Sequence, residues 1–129
     1  MKEIVNVKIL HLPVKAKWYE MQESGVKPEE YRNITPYWTR RICGCTGSKI
    51  WCQADMKSCA GCVALKNQKP LAYTHVLLRY GYTKRCMIRR IDSITIGRGN
   101  PEWGAPTDRD VYIIRHHKEE SPIIKQKKL

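Results

Sequence analysis

No run of apolar residues in this sequence approaches the roughly 18 needed to span a membrane, which excludes a helical span. The first ten residues alternate polar and apolar side chains, so they lack the apolar core of a signal peptide. Together these absences predict a cytoplasmic protein with no membrane partner. No internal repeat or long low-complexity tract is present. The chain has 129 residues, too few for a two-domain cofactor enzyme or a barrel of roughly 250 residues. Acidic residues are scarce, with 12 Asp and Glu against 24 Lys and Arg, a formal charge of +12.

What is present is a body that is both apolar and basic. Apolar residues make up 42% of the chain, enough for a core and too many for a disordered chain. Residues 1–42 hold 8 basic and 5 acidic side chains, and residues 71–117 hold 8 and 4. The charge is therefore not confined to an arm. Such a surplus suits a polyanion, most simply nucleic acid, although a high isoelectric point alone has the same composition.

Hydrophobic patterning gives the order of elements. Residues 4–11 alternate with β-branched side chains and predict a strand. Pro13 stands where a helix begins, and Val14, Trp18 and Met21 recur at helical spacing, predicting a helix over 14–24 that Gly25 ends. Residues 27–34 read as a second, polar strand. Thr35-Pro36 opens a short helix over 36–42. Strands are expected over 73–80, 84–96 and 111–115, with a Gly/Pro-rich loop over 97–106 that cannot continue a ladder. This pattern predicts a small mixed α+β domain on a curled sheet or partly open β-barrel with short helices.

Residues 24–32 carry Gly25, Lys27, Glu30 and Arg32 in the spacing G-x-K-x-x-E-x-R. With Leu12-Pro13 and Trp18 before it, Pro36-Tyr37-Trp38 after it, and residues 100–106 late in the chain, this segment resembles the ASCH domain, a branch of the PUA-like superfamily. The resemblance spans roughly residues 4–42 and 71–117. It implies one ASCH-like domain over 1–117; the cysteine-rich residues 43–70 read as an insert extra to that core, and the Lys-rich residues 118–129 as a basic, flexible tail. The resemblance also implies a barrel-like fold with a cleft, and binding of RNA or a nucleotide there. Some relatives of this kind are amidohydrolases acting on acetylcytidine, with Thr as nucleophile where this chain has Glu30. Glu30 has no hydroxyl for Lys27 to deprotonate, so the hydrolase activity is not carried over.

The residues themselves suit such a cleft. In an extended segment Pro28, Glu30 and Arg32 share a side, and a kink at Pro28 brings Lys27 round to them. Glu30 could then hold Arg32 or Lys27, Arg32 could clamp a phosphate or base edge, and Lys27 could act as a point charge. Lys27 and Glu30 are also the candidates for an alternative reading, a small hydrolase or nuclease acting on RNA or modified nucleosides, with His75 or His116 as proton partners. Arg79, Tyr80, Tyr82, Lys84 and Arg85 place rings among cations at an expected hairpin, a flanking surface for unpaired bases. Trp103 is read as pinning its loop to the core, His75 as structural, His116-His117 as a strand end, and Cys86 as a small buried hydrophobe.

Five of six cysteines fall within residues 43–62, spaced C-x-C-x6-C-x6-C-x-x-C. Cys43, Cys45, Cys59 and Cys62 could supply two edges of a tetrahedral zinc site, with Cys52 as an alternate. An iron–sulfur cluster draws on the same thiolates, and reduced thiols remain open in a cytoplasmic chain. A zinc-stabilised insert that binds another protein is a third functional reading.

Overall fold

The computed structural model describes residues 7–43 and 73–118. The elements are β1 (Ile9–Val14), α1 (Ala16–Glu23), β2 (Glu29–Asn33), α2 (Pro36–Cys43), β3 (His75–Tyr80), β4 (Cys86–Gly97) and β5 (Val111–His117), with a 3-10 turn at Pro101–Trp103 before β5. The five strands form one sheet in the order β1-β3-β4-β5-β2. Only β1 and β3 run parallel, and the other neighbours are antiparallel. The result is a curled, half-barrel α+β architecture with few short helices. No described helix is long and apolar enough to cross a membrane.

β4 produces the bend. Its first residues pair with β3 and its later ones with β5, with a register shift between Ile91 and Ser93. A bulge bends the strand and raises its twist, so one long strand serves both halves of the sheet. Alternation then sorts the side chains. Leu10, Leu12 and Val14, Val76 and Leu78, Met87 and Ile94, and Tyr112 and Ile114 form the main core, together with Tyr19 and Ile42 from the helices. A second cluster of Tyr31, Ala105, Val111 and Ile113, with Trp103 packed on it, holds the Gly/Pro loop.

The first strand departs from the patterning, and α1, close to its predicted span, buries a different face. The strand runs through Pro13 and Val14, where a helix start was expected; of the predicted 4–11 stretch, residues 4–6 lie outside the described residues. β1 is a sheet edge, and the Pro13 carbonyl points away from β3 to accept from Arg32. An N–H there would face outward too, so proline costs no ladder bond. The helix consequently starts at Ala16 and buries Tyr19 and Gln22 instead of the Val14–Trp18–Met21 stripe. Tyr19 packs edge-on against Tyr80, centroids 5.2 Å apart.

Candidate functional site

The motif lies on the sheet's other edge. Glu30 pairs with Ile114 and Arg32 with Tyr112 across β2–β5, so both project toward the main core. After α1 the chain passes Gly25 and folds back, the Lys27 N–H donating to the Met21 carbonyl at 3.0 Å. Lys27, Glu30 and Arg32 thereby converge, by the turn at Gly25 and not by a kink at Pro28, whose carbonyl accepts from the His116 N–H at 3.1 Å. Lys27 Nζ stands 4.0 Å from Glu30 Oε1, and Arg32 Nη1 donates to Glu30 Oε2.

All three are embedded in further bonds. Gln22 Nε2 donates to Glu30 Oε1 at 2.7 Å, so both carboxylate oxygens accept. Arg32 also donates to the carbonyls of Tyr31 (2.8 Å) and Pro13 (2.6 Å), with its guanidinium 4.9 Å from the Trp38 ring centroid. The Pro13 bond links the two edges of the half-barrel, β2 to β1. Lys27 Nζ donates to the Trp103 carbonyl and lies 4.6 Å from the Trp18 ring and 5.0 Å from Tyr31. Burial holds the Lys27 ammonium below the ordinary lysine range, against the opposing pull of Glu30. Burial and the bond to Glu29 raise the Tyr31 phenol. That hydroxyl donates to Glu29 Oε1 at 2.6 Å and accepts from the Asn100 N–H at 3.0 Å.

The bond directions are fixed at the far end as well. Because Gln22 must offer its amide N–H to Glu30, its carbonyl faces His116, and Nε2 of His116 donates to it, 2.7 Å away. His116 Nδ1 is then an acceptor. It is buried and has no partner among the described residues. Burial, then the positive charge of Arg89, push the His116 pKa down to about 4, so the imidazole is neutral near pH 7.

These residues border a cleft of about 430 Å³. Trp18, Trp38 and Trp103 line it with Lys27, Glu30, Tyr31, Arg32 and Asn33. The loop bearing Trp103 is built by local rules. Asn100 accepts from the Glu102 N–H at 2.9 Å, Pro101 opens the 3-10 turn, and Gly104 ends it at φ +100°. A Cβ at Gly104 would stand 2.9 Å from the Trp18 ring, so glycine here lets the loop close on that indole. Trp103 does pack on the second core cluster, and it also lines the cleft.

None of the hairpin residues Arg79, Tyr80, Tyr82, Lys84 and Arg85 lines this cleft; their strand pairs with β1, whose Pro13 and Val14 do, Val14 with Tyr80 and Pro13 with Arg79. Arg85 is held by Glu23 at 2.7 Å and lies over the Tyr80 ring, and Arg79 donates to the Thr83 carbonyl. Tyr80 reaches Glu20. Tyr82, at 92% exposed, and Lys84 are the open members of the group. His75 is buried and joined to Thr74, with the Thr74 hydroxyl bonded in turn to Lys8, which fits a structural histidine. Cys86 is a free thiol, half-buried instead of fully buried. His116 and His117 do lie at the end of β5, with His117 bonded to Asp92.

The cysteine insert, with Cys45, Cys52, Cys59 and Cys62, lies outside the described residues, and Cys43 is the last residue of α2. Among the described residues no three His, Cys, Asp or Glu side chains form a metal-binding group.

Sequence reasoning did not assign Gln22 or Trp38 to the site. Gln22 carried no signal, because a glutamine on a short helix reads as solvated. Trp38 carried one: an indole six residues after Arg32, at the start of a helix that follows directly on β2. Comparison with known proteins finds no family model, no curated protein and no solved structure that matches this chain.

Proposed function

We propose that this protein is a cytoplasmic RNA-binding module of the ASCH, PUA-like kind, whose cleft receives one unpaired nucleotide. The observation that carries the reading is the concentration of three indoles and Tyr31 around a cleft of about 430 Å³ that also holds a buried ammonium. That volume falls in the range of small-molecule sites, which combine apolar and aromatic walls with a few placed polar groups. Aromatic faces are the usual platform for an unstacked base. Glu30 acts as the internal anchor. By accepting from Gln22 and Arg32 it fixes the positions from which Lys27, Arg32 and Asn33 meet a ligand. Tyr82 and Lys84 extend the surface along the hairpin, beside Arg79, Tyr80 and Arg85.

The test is binding of short single-stranded RNA, followed by indole fluorescence. Trp38→Ala should weaken binding about tenfold, the loss of one stacked base. Lys27→Ala and Arg32→Ala should weaken it as well. Unchanged affinity in all three folded variants would remove the cleft from the binding reaction.

A second reading, catalysis on RNA or a modified nucleoside, is favoured by one observation: Lys27 has a depressed pKa beside Glu30 in a cleft. The engagement of both Glu30 oxygens weighs against Glu30 as a free base. Turnover of labelled RNA or acetylated nucleosides that disappears in Glu30→Gln would establish it. A zinc-stabilised, protein-binding insert rests on the spacing of Cys43, Cys45, Cys59 and Cys62 alone. It requires one equivalent of zinc in the purified protein, and metal analysis decides it.

A further inference from the structure

A second cleft, of about 360 Å³, lies on the far side of Lys27, which lines both. Its other charged and polar lining includes Arg89, His116, His117, Lys118 and Glu23. The balance of pairing here differs from the first cleft. Glu23 is occupied by Arg85 at 2.7 Å. Arg89 is half-buried and has no carboxylate partner among the described residues; its one hydrogen bond runs to the Gln22 main-chain carbonyl at 3.5 Å. A partly buried guanidinium ordinarily pairs with an anion or is solvated. Next to it stands His116, 96% buried by area, with its Nδ1 unpartnered.

We propose that this second cleft is an anion site for a tetrahedral oxyanion, a phosphate group in nature, held principally by Arg89. The planar fork of arginine matches phosphate oxygens. Lys118, exposed at the rim, adds charge. The same anion controls His116. Facing that imidazole are Arg89 and Asp92 from β4, Lys27 ahead of β2, Gln22 from α1 and the adjoining His117. Asp92 is already bonded to His117 at 2.7 Å. Arg89, whose charge Glu23 offsets only from beyond ion-pair distance, is therefore the dominant cationic neighbour. An anion on Arg89 offsets its charge and makes protonation of His116 Nδ1, with a proton from solvent, easier. Protonated His116 still donates Nε2–H to Gln22, so the bond to Glu30 and the first cleft is preserved while the ring gains charge.

The test uses the full chain and follows the His116 ring by heteronuclear NMR through a pH titration in sodium sulfate and in sodium chloride at equal ionic strength. Sulfate is a tetrahedral dianion that does not itself titrate over this range. Sulfate should raise the His116 midpoint by at least about one pH unit and perturb the Arg89 side chain, and Arg89→Ala should abolish both effects. Equal midpoints in the two salts, or a sulfate effect that survives in folded Arg89→Ala, would overturn the proposal. A short single-stranded RNA, added in place of sulfate, separates the sources. Displacement of sulfate by RNA at His116 identifies a backbone phosphate, and a His116 response to sulfate or inorganic phosphate alone identifies a free ion. Because the readout is at His116 and not in the first cleft, failure here leaves the RNA reading standing, and the reverse.

Discussion

The two clefts that meet at Lys27 both carry cations but differ in their walls, built of Trp and Tyr rings in the first and not in the second, and in how their charges are paired. In the first, Arg32 binds Glu30 and two carbonyls, and Lys27 binds a carbonyl beneath two rings. In the second, Arg89 has one long bond to a carbonyl and His116 leaves a nitrogen unpaired. A cation count does not distinguish them. Paired charges fix shape, and what such a cleft recognises is set by its walls. Unpaired, partly desolvated charges await a counter-ion. The surplus of +12 thus divides into cations that build the protein and cations that are available to a ligand.

The largest effect that could break this comparison is loss of Glu30. Glu30→Ala leaves Arg32 and Lys27 without their shared carboxylate in a buried setting, and should destabilise the fold by about 3 kcal/mol or more in urea denaturation. A loss below about 1 kcal/mol would mean that the first cleft is not internally paired. Next is the pH dependence of His116. The unfolded chain protonates this ring near the ordinary 6.5, the folded protein only near 4. Its contribution is therefore complete above pH 6.5 and is lost as pH falls toward 4. Between pH 7 and 4.5 it should account for about 2–3 kcal/mol, a component absent from the same titration of His116→Gln.

Smaller is the cost of Gly99→Ala. A Cβ there would meet Ala105 Cβ at 2.6 Å and the Tyr31 ring at 2.7 Å, so about 1–3 kcal/mol of overpacking is expected by thermal denaturation. It would also displace the loop that presents Trp103 to Lys27. The smallest is Arg89→Ala, expected within about 1 kcal/mol of the parent, because little but its stem packing is lost. A large destabilisation would place Arg89 among the structural cations and erase the contrast between the clefts.

Much of the fold is legible in the sequence, because alternation and turn residues act locally. The β2, α2, β3, β4 and β5 segments fall within a few residues of where patterning puts them, and Gly25 follows α1 as a helix stop. The first strand runs on through Pro13, where a helix start is expected, whereas α1 lies within two residues of its predicted span. Whether proline starts a helix or ends a strand depends on whether its missing N–H faces a neighbour, and the sheet order decides that. Convergence of Lys27 with Glu30 and Arg32 is expected from their spacing, but the chain folds back at Gly25, ahead of Pro28, whose carbonyl joins the ladder with His116. The engagement of Arg32 was not readable, since two of its acceptors are main-chain carbonyls, which have no sequence signature. The His116–Gln22–Glu30 chain joins β5, α1 and β2 through contacts as many as 94 residues apart, and periodicity within one element cannot report it.

The Arg32–Pro13 bond has a consequence for behaviour in a crowded solution. Among the described residues β1 is an edge of the sheet, and an open edge is a template on which a second chain can add a strand and start aggregation. Here the outward carbonyls of His11 and Pro13 are taken by Arg41, at 2.7 Å, and Arg32, at 2.6 Å, and Pro13 has no amide to offer. Over that stretch an incoming strand finds both carbonyls occupied and no amide at Pro13, which leaves too few groups to continue a ladder. The same guanidinium that shapes the cleft thus also protects the molecule from its own copies, so variants that remove Arg32 should be assessed for self-association before any loss of ligand binding is attributed to the cleft.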